Sequence, residues 1–141
     1  MATGTINFYS KLKQWLQDGT VDLDNDTINI ALLNEGYTPV HTHSTSAQLS
    51  NEVGTGGYAQ QALSAVTIAA TASAFVFDAA NLVWTASGAA FTAYHWVMID
   101  KTASDALLAW GLIDNSPAKV AVADGYTLTI SWNANGIWKL D

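Results

Sequence analysis

The chain is built around the segment Phe91-Thr-Ala-Tyr-His-Trp-Val-Met-Ile-Asp100. In a β-strand, alternate side chains point to opposite faces of the sheet. Both alternating sets are largely apolar here, namely Tyr94, Trp96 and Met98 on one side and His95, Val97 and Ile99 on the other. Two apolar faces are typical of a central strand that is covered on both sides. We therefore expect neighbouring tryptophan-containing segments to pair with this strand or to pack on it.

Short alternating segments lie on both sides of this strand, with turn signals about every ten residues. The predicted strands are Thr27–Asn34, Tyr58–Leu63, Ala65–Thr71, Ala74–Asp78, Leu82–Ala86, Ala106–Ile113, Val120–Val122, Tyr126–Trp132 and Ile137–Leu140. Alternation predicts two sets of side chains that each share one face: Leu108, Trp110 and Leu112, and the inward-facing Tyr126, Leu128, Ile130 and Trp132. The pattern predicts an all-β protein, an antiparallel β-sandwich of jelly-roll-like or immunoglobulin-like type.

One short helix is predicted near the N-terminus, over Phe8–Asp18. Its apolar residues recur at helical spacing on one face: Phe8, Leu12, Trp15 and Leu16. Asn7 or Thr5 can cap its start, and Gly19 can end it in the left-handed conformation. A helix this short is unstable alone and must dock. It is either a lid over the β core or an arm that docks on a neighbouring subunit.

The chain is therefore expected to be a single domain over residues 1–141, with an N-terminal arm over 1–19 and a β-sandwich over 20–141. Its length of 141 residues is typical of one domain. No composition shift or low-complexity linker suggests a further boundary.

Charge and composition exclude several classes of function. The chain has five lysines, no arginine and a net charge of −7, which disfavours binding to nucleic acid. It has no cysteine, so no disulfide or thiolate metal site can form. No apolar run is long enough to span a bilayer, and the first ten residues lack the pattern of a secretory signal. We expect a protein made in a cytoplasm, away from membranes.

No pattern in the sequence predicts a cofactor, a metal centre or an active site. Asp22–Asp26 resembles a calcium loop, but the sixth and twelfth loop positions are Thr27 and Leu33. His41 and His43 can point the same way, yet no third ligand follows at a useful spacing. The carboxylates of a glycosidase have no counterpart, because most lie in predicted turns: Asp78, Asp100, Asp105, Asp114 and Asp124. We expect a protein that is not an enzyme.

Six tryptophans raise the possibility of a carbohydrate-binding module. Core packing is expected for four of them: Trp84, Trp96, Trp110 and Trp132. Trp15 belongs to the helix. Trp138 and Tyr37 remain as candidate binding aromatics.

The order of motifs resembles that of small structural proteins of tailed bacteriophages. The matching segments are the helix Phe8–Asp18, the acidic turn and strand Asp22–Leu33, Gly57-Tyr58, Phe75–Ala86, the strand 93–100, Leu107–Asp114, Thr129–Trp132 and Gly136–Leu140. The irregular segment Glu35–Thr55 has no counterpart.

The resemblance implies a capsid decoration, or cement, protein of the virion. Such a protein is expected to bind the outer capsid surface, to bridge major capsid subunits and to form a homodimer or homotrimer. Two other classes of protein stay open. One is a binding module at the tail tip or on a tail fibre, with carbohydrate as one candidate ligand, and the other is a soluble hydrolase.

The predicted partner contacts lie in the arm and in the irregular segment: Ile6, Phe8, Tyr9, Tyr37, His41 and His43. We expect the β core to fold without residues 1–18.

Overall fold

The computed structural model describes residues 5–140, which form antiparallel β-sheets and one short α-helix. The strands are β1 (Asn7–Phe8), β2 (Ile28–Leu33), β3 (Gln61–Ala62), β4 (Thr67–Ala70), β5 (Phe75–Asp78), β6 (Leu82–Thr85), β7 (Phe91–Ala93), β8 (His95–Asp100), β9 (Ala106–Leu112), β10 (Val120–Val122), β11 (Thr127–Ile130) and β12 (Trp138–Leu140). The helix α1 is Leu12–Asp18, and Ser46–Gln48 is a 3-10 turn. The predicted all-β, sandwich-like fold is confirmed. No helix within the described range is long and apolar enough to cross a membrane.

The strand β8 lies at the centre of a five-stranded sheet in the order β1-β9-β8-β2-β3. It pairs with β2 from Asp100 opposite Ile28 to His95 opposite Leu33. On its other side it pairs with β9. Every residue of β8 is buried, which confirms a central strand over His95–Asp100. The predicted strand Phe91–Asp100 is nevertheless divided at Tyr94, because Phe91–Ala93 pairs with β10 in a separate sheet.

The inner face of this large sheet packs against three smaller sheets. Their orders are β12-β5-β4, β11-β6 and β10-β7. The shared core includes Ile30, Trp96, Met98 and Leu108 from the large sheet and Phe77, Trp84, Phe91, Leu128, Ile130 and Trp138 from the smaller ones. These contacts form the sandwich.

The outer face of the large sheet is covered by the irregular segment Glu35–Thr55. Its Tyr37 and Leu49 pack against a second core of Ala31, Leu33, Val97, Ile99 and Leu107. Backbone hydrogen bonds fix the segment along the sheet, including Asn34 N to Asn51 O (2.8 Å) and Leu107 N to Ser44 O (3.0 Å). The segment is therefore a structural cover for β8, which explains why both faces of that strand are apolar.

Trp110 does not lie in the inner core as predicted, because β9 contains a β-bulge. Met98 pairs with Ala109, but the next residue, Ile99, pairs with Leu107, so Leu108 is extra in β9. The added residue inverts the alternation. Leu108 consequently faces the inner core, whereas Trp110 lies on the outer face.

The N-terminal segment also differs from the prediction. The helix begins at Leu12 instead of Phe8, because Asn7 and Phe8 pair with β9 as an edge strand. Lys11 is the N-cap, without a side-chain cap hydrogen bond, so neither Asn7 nor Thr5 caps the helix. The predicted end is confirmed, since Gly19 has φ of 76°.

Three other aromatic side chains lie differently than predicted. Trp138 is buried and stacks on Phe77 with ring centroids 4.5 Å apart. Tyr37 is also buried, so neither candidate sugar-binding aromatic is exposed. Tyr126, expected inside, precedes β11 and is 70% exposed.

A close contact between Gly111 and Trp96 gives a test of the core. A Cβ at Gly111 would lie 2.8 Å from three atoms of the buried Trp96 ring system. We expect Gly111→Ala to lower the free energy of unfolding by about 1–3 kcal/mol because the core is overpacked. Urea denaturation measures this, with Gly54→Ala as the control, since a Cβ there meets nothing within 4 Å. An equal loss of unfolding free energy in the two variants would contradict the close contact between Gly111 and Trp96.

The turn between β8 and β9 depends on a buried carboxyl group. Asp100 is 0% exposed, and its Oδ1 accepts hydrogen bonds from the N–H groups of Thr102 and Ala103, both at 2.9 Å. Its Oδ2 is buried without a donor and faces the Asp26 carboxyl. Burial, reinforced by Asp26, raises the pKa of Asp100 from its ordinary 3.8 to about 6.

This raised pKa predicts that stability falls as the pH rises from about 4 to about 6. In that window the folded chain keeps a proton that the unfolded chain has lost, with a slope of up to about 1.4 kcal/mol per pH unit. We expect Asp100→Asn to remove this component, because an amide carries no charge and its oxygen still accepts the two turn hydrogen bonds. Chemical denaturation from pH 4 to 8 measures the effect. A variant with the wild-type pH profile would show that Asp100 does not titrate there.

Candidate interaction surface

Several carboxylates of the described residues hold turns, and none lines the grooves and recesses described below. Asp78 accepts a hydrogen bond from the backbone N–H of Ala79, and Asp114 accepts one from that of Ser116. Asp105 forms an ion pair with Lys101. The carboxyl group with the raised pKa, Asp100, is fully buried, where no substrate can reach it. No group of three or more potential metal ligands occurs between residues 5 and 140.

The N-terminal edge of the large sheet has the character of an interaction surface. The strand β1 is paired only on its β9 side. A groove of about 510 Å³ runs beside it, lined by Ile6, Asn7, Phe8, Lys13, Pro39, His41 and Trp110. We call this surface the β1 groove. It brings together three predicted contact residues: Ile6 and Phe8 of the arm, and His41, which is distant from them in sequence.

The positions of Ile6 and Phe8 follow from the edge pairing. Both are half-buried, and the Phe8 ring packs edge-on against Trp138 with centroids 5.3 Å apart. Ile6 also lines a second groove of about 450 Å³ with Gly136, Ile137 and Lys139. The edge strand therefore has recesses on both sides.

Tyr9 and Tyr37, two other predicted contacts, lie inside the protein. They are 1% and 3% exposed, and their hydroxyl groups share a hydrogen bond of 2.8 Å. Burial, and then the bond with Tyr37, raises the pKa of the Tyr9 hydroxyl. These side chains fasten the arm to the covering segment, and their burial leaves them out of the candidate surface.

The two remaining histidine positions differ in their surroundings. His41 is exposed, and its carbonyl oxygen accepts the Ser10 N–H at 2.9 Å, which places it beside the arm. His43 is half-buried near Tyr37, with ring centroids 6.4 Å apart, and its Nδ1 has no partner. His43 therefore faces the outer core and does not join the β1 groove.

Trp110 belongs to the surface although alternation predicted it in the core. The bulge at Leu108 turns it outward, where it is half-buried beside β1. Beneath it lies His95, which is 5% exposed and meets the Trp110 ring edge-on at 5.7 Å. Burial lowers the pKa of His95. The sequence contains no signal for this bulge beyond the length of β9.

A further recess lies on the other side of Trp110. It has a volume of about 320 Å³ and is lined by Thr5, Asn7, Tyr94, His95, Trp110, Leu112 and Asn115. Aromatic faces and amide groups occur together here. We call it the Trp110 recess.

No protein-family model, curated protein or solved structure matches this chain.

The buried tyrosine pair gives a test of how the arm is held. We expect Tyr9→Phe to lower the free energy of unfolding by about 1–3 kcal/mol, because the Tyr37 hydroxyl loses its partner inside the protein. The double variant Tyr9→Phe/Tyr37→Phe is expected to lose less than the sum of the two single variants. Thermal and urea unfolding measure these differences. Tyr126→Phe, at an exposed tyrosine, is the control. Strict additivity would contradict the shared hydrogen bond.

Proposed function

We propose that this chain is a non-enzymatic structural protein that binds the outer surface of a tailed-phage capsid and bridges major capsid subunits. The resemblance of its motif order to small phage structural proteins supports the virion role. The observation that carries the proposal is the β1 groove, where Ile6, Phe8 and His41 meet Trp110 at a sheet edge.

The chemistry of the groove suits a protein partner. Its apolar side chains and half-buried tryptophan resemble the centre of an interface, and its polar residues resemble a rim. Tryptophan is also enriched among residues that dominate binding energy. A protein that binds the assembled shell more tightly than its separate subunits stabilises the shell by mass action. Such a role requires surface complementarity and no reaction.

Deletion of residues 1–18 is unsuitable as a test of this surface. Tyr9 and Leu12 are 1% and 3% exposed and belong to the two cores. The expectation that the β core folds without the arm conflicts with this burial, since removal would open both cores. Point variants at the rim of the groove are the better choice.

We expect Ile6→Asp and His41→Glu each to weaken capsid binding by roughly tenfold or more, equivalent to about 1.4 kcal/mol. Each substitution places a negative charge in the β1 groove. Cosedimentation with emptied heads of the parent phage measures the binding. Val83→Asp is the matched control, because Val83 is 47% exposed on β6, outside the groove.

Saturable binding of the wild-type chain to heads, lost only in the groove variants, supports the proposal. Wild-type affinity in both groove variants would remove the β1 groove from the contact. Absence of head binding by the wild-type chain would overturn the capsid role.

A second candidate is a carbohydrate-binding module of the phage tail, favoured by the Trp110 recess. Tyr94 and Trp110 offer ring faces for sugar stacking, and Asn7 and Asn115 offer hydrogen-bonding groups. Cosedimentation with tails and a glycan-array screen test this candidate. Sugar binding that is lost in Asn115→Ala, together with binding to tails alone, would favour it over the capsid role.

A further inference from the structure

A second surface, separate from the β1 groove, lies at the free edge of β4. In the sheet β12-β5-β4, β4 is paired only with β5. Of the strands between residues 5 and 140, it is the one in which every residue is exposed. Unpaired edges are sites where another strand can add, and monomeric proteins usually block them with lysine, proline or a bulge. The β4 sequence Thr67-Ile-Ala-Ala70 has none of these.

Some backbone N–H and C=O groups of β4 point away from β5, toward the free edge of the sheet. Thr71 N donates to Ala74 O at 2.7 Å, so Thr71 lies in a hydrogen-bonded pair with the neighbouring strand. Hydrogen-bonding and non-bonding positions alternate in an antiparallel pair. Ala69 therefore points its N–H and C=O toward β5, and Ile68 and Ala70 point theirs toward the free edge.

An apolar cleft continues from this edge. It has a volume of about 160 Å³ and is lined by Leu16, Leu23, Ile68, Phe75, Val76, Phe77, Trp138 and Leu140. Three of these side chains are unusually open to solvent: Ile68 at 43%, Phe75 at 60% and Leu140 at 42%. A strand that adds to β4 would form hydrogen bonds with the free backbone groups of the edge, and it would also cover part of this apolar surface.

Charge indicates which strand can add. No charged residue occurs between Glu52 and Asp78, although the whole chain carries a net charge of −7. Two copies repel one another over most of their surface, and an uncharged edge is where they can approach. The edge also offers no charge for recognition of a basic or acidic partner.

We propose that β4 pairs with β4 of a second copy in an antiparallel, two-fold symmetric dimer. A two-fold axis through Ala69 places Ile68 of each copy opposite Ala70 of the other, so that the outward-pointing backbone groups meet. The two three-stranded sheets then form one continuous sheet, and the two apolar clefts lie on the same face. This inference does not depend on capsid binding.

Sedimentation of the free chain over a wide concentration range tests the dimer. We expect a monomer–dimer equilibrium whose dissociation constant rises by roughly tenfold or more in Ala70→Pro and in Ala70→Lys. Proline removes an N–H group that faces the free edge, and lysine places a charge there. Lysine keeps the backbone N–H, so it serves if the proline variant is misfolded. Circular dichroism checks that each variant is folded.

A cysteine variant tests the register. The chain has no cysteine, and Ala69→Cys places two thiols at a non-hydrogen-bonded pair with Cα atoms about 4.5 Å apart, within the range for a disulfide. Ala121→Cys, at an exposed position of the edge strand β10, is the matched control. We expect rapid oxidation to a covalent dimer for Ala69→Cys alone.

A wild-type chain that stays monomeric, with equal cross-linking of the two cysteine variants, would overturn the proposal. A dimer that persists unchanged in both Ala70 variants would also overturn it, because the contact would then lie elsewhere. Neither result bears on binding to heads, which is measured with the groove variants.

Discussion

The apolar side chains on both faces of β8 must be buried, and this requirement governs the arrangement of the elements around it. The inner face is covered by the three smaller sheets and the outer face by the segment Glu35–Thr55. An uncovered face would expose the apolar side chains of β2, β8 and β9 to water. The lost hydrophobic free energy would be about 25 cal/mol for each Å² of apolar surface. The chain therefore needs a long irregular segment that is fixed to the sheet by its own hydrogen bonds.

The arrangement of the strands could be predicted where alternation is regular. The strands predicted over Thr27–Asn34 and Leu82–Ala86 both form, and their alternate residues lie in the inner core: Ile28, Ile30 and Leu32 in β2, and Leu82 and Trp84 in β6. Prediction failed where a long-range partner decides the outcome. The start of α1 depends on pairing between β1 and β9, and Tyr37 is buried in the outer core, where its hydroxyl finds a partner in Tyr9. Neither partner is visible within a local sequence window.

The same limit applies to the candidate site. The amphipathic N-terminal arm and the irregular segment Glu35–Thr55 led to the prediction of Ile6, Phe8 and His41 as contact residues. The fold brings these three residues together. Trp110 was missed because one extra residue in β9 inverts its face. Trp138 connects the two proposed contact surfaces: it contacts Phe8, which lines the β1 groove, and Phe77, which lines the apolar cleft beside β4. A change in its packing would therefore affect both surfaces.

The hydrogen bond between Tyr9 and Tyr37 has a mechanical consequence. A two-residue strand such as β1 is easily peeled from a sheet edge, because few backbone bonds resist a pull along the arm. Tyr9 follows β1 directly and is anchored in the outer core, where its hydroxyl is joined to the covering segment. A pull on the arm is thus transmitted into the layer over β8. If a partner binds the β1 groove as proposed, the force that this contact can bear is limited by the stability of the protein's own fold and not by the two-residue strand.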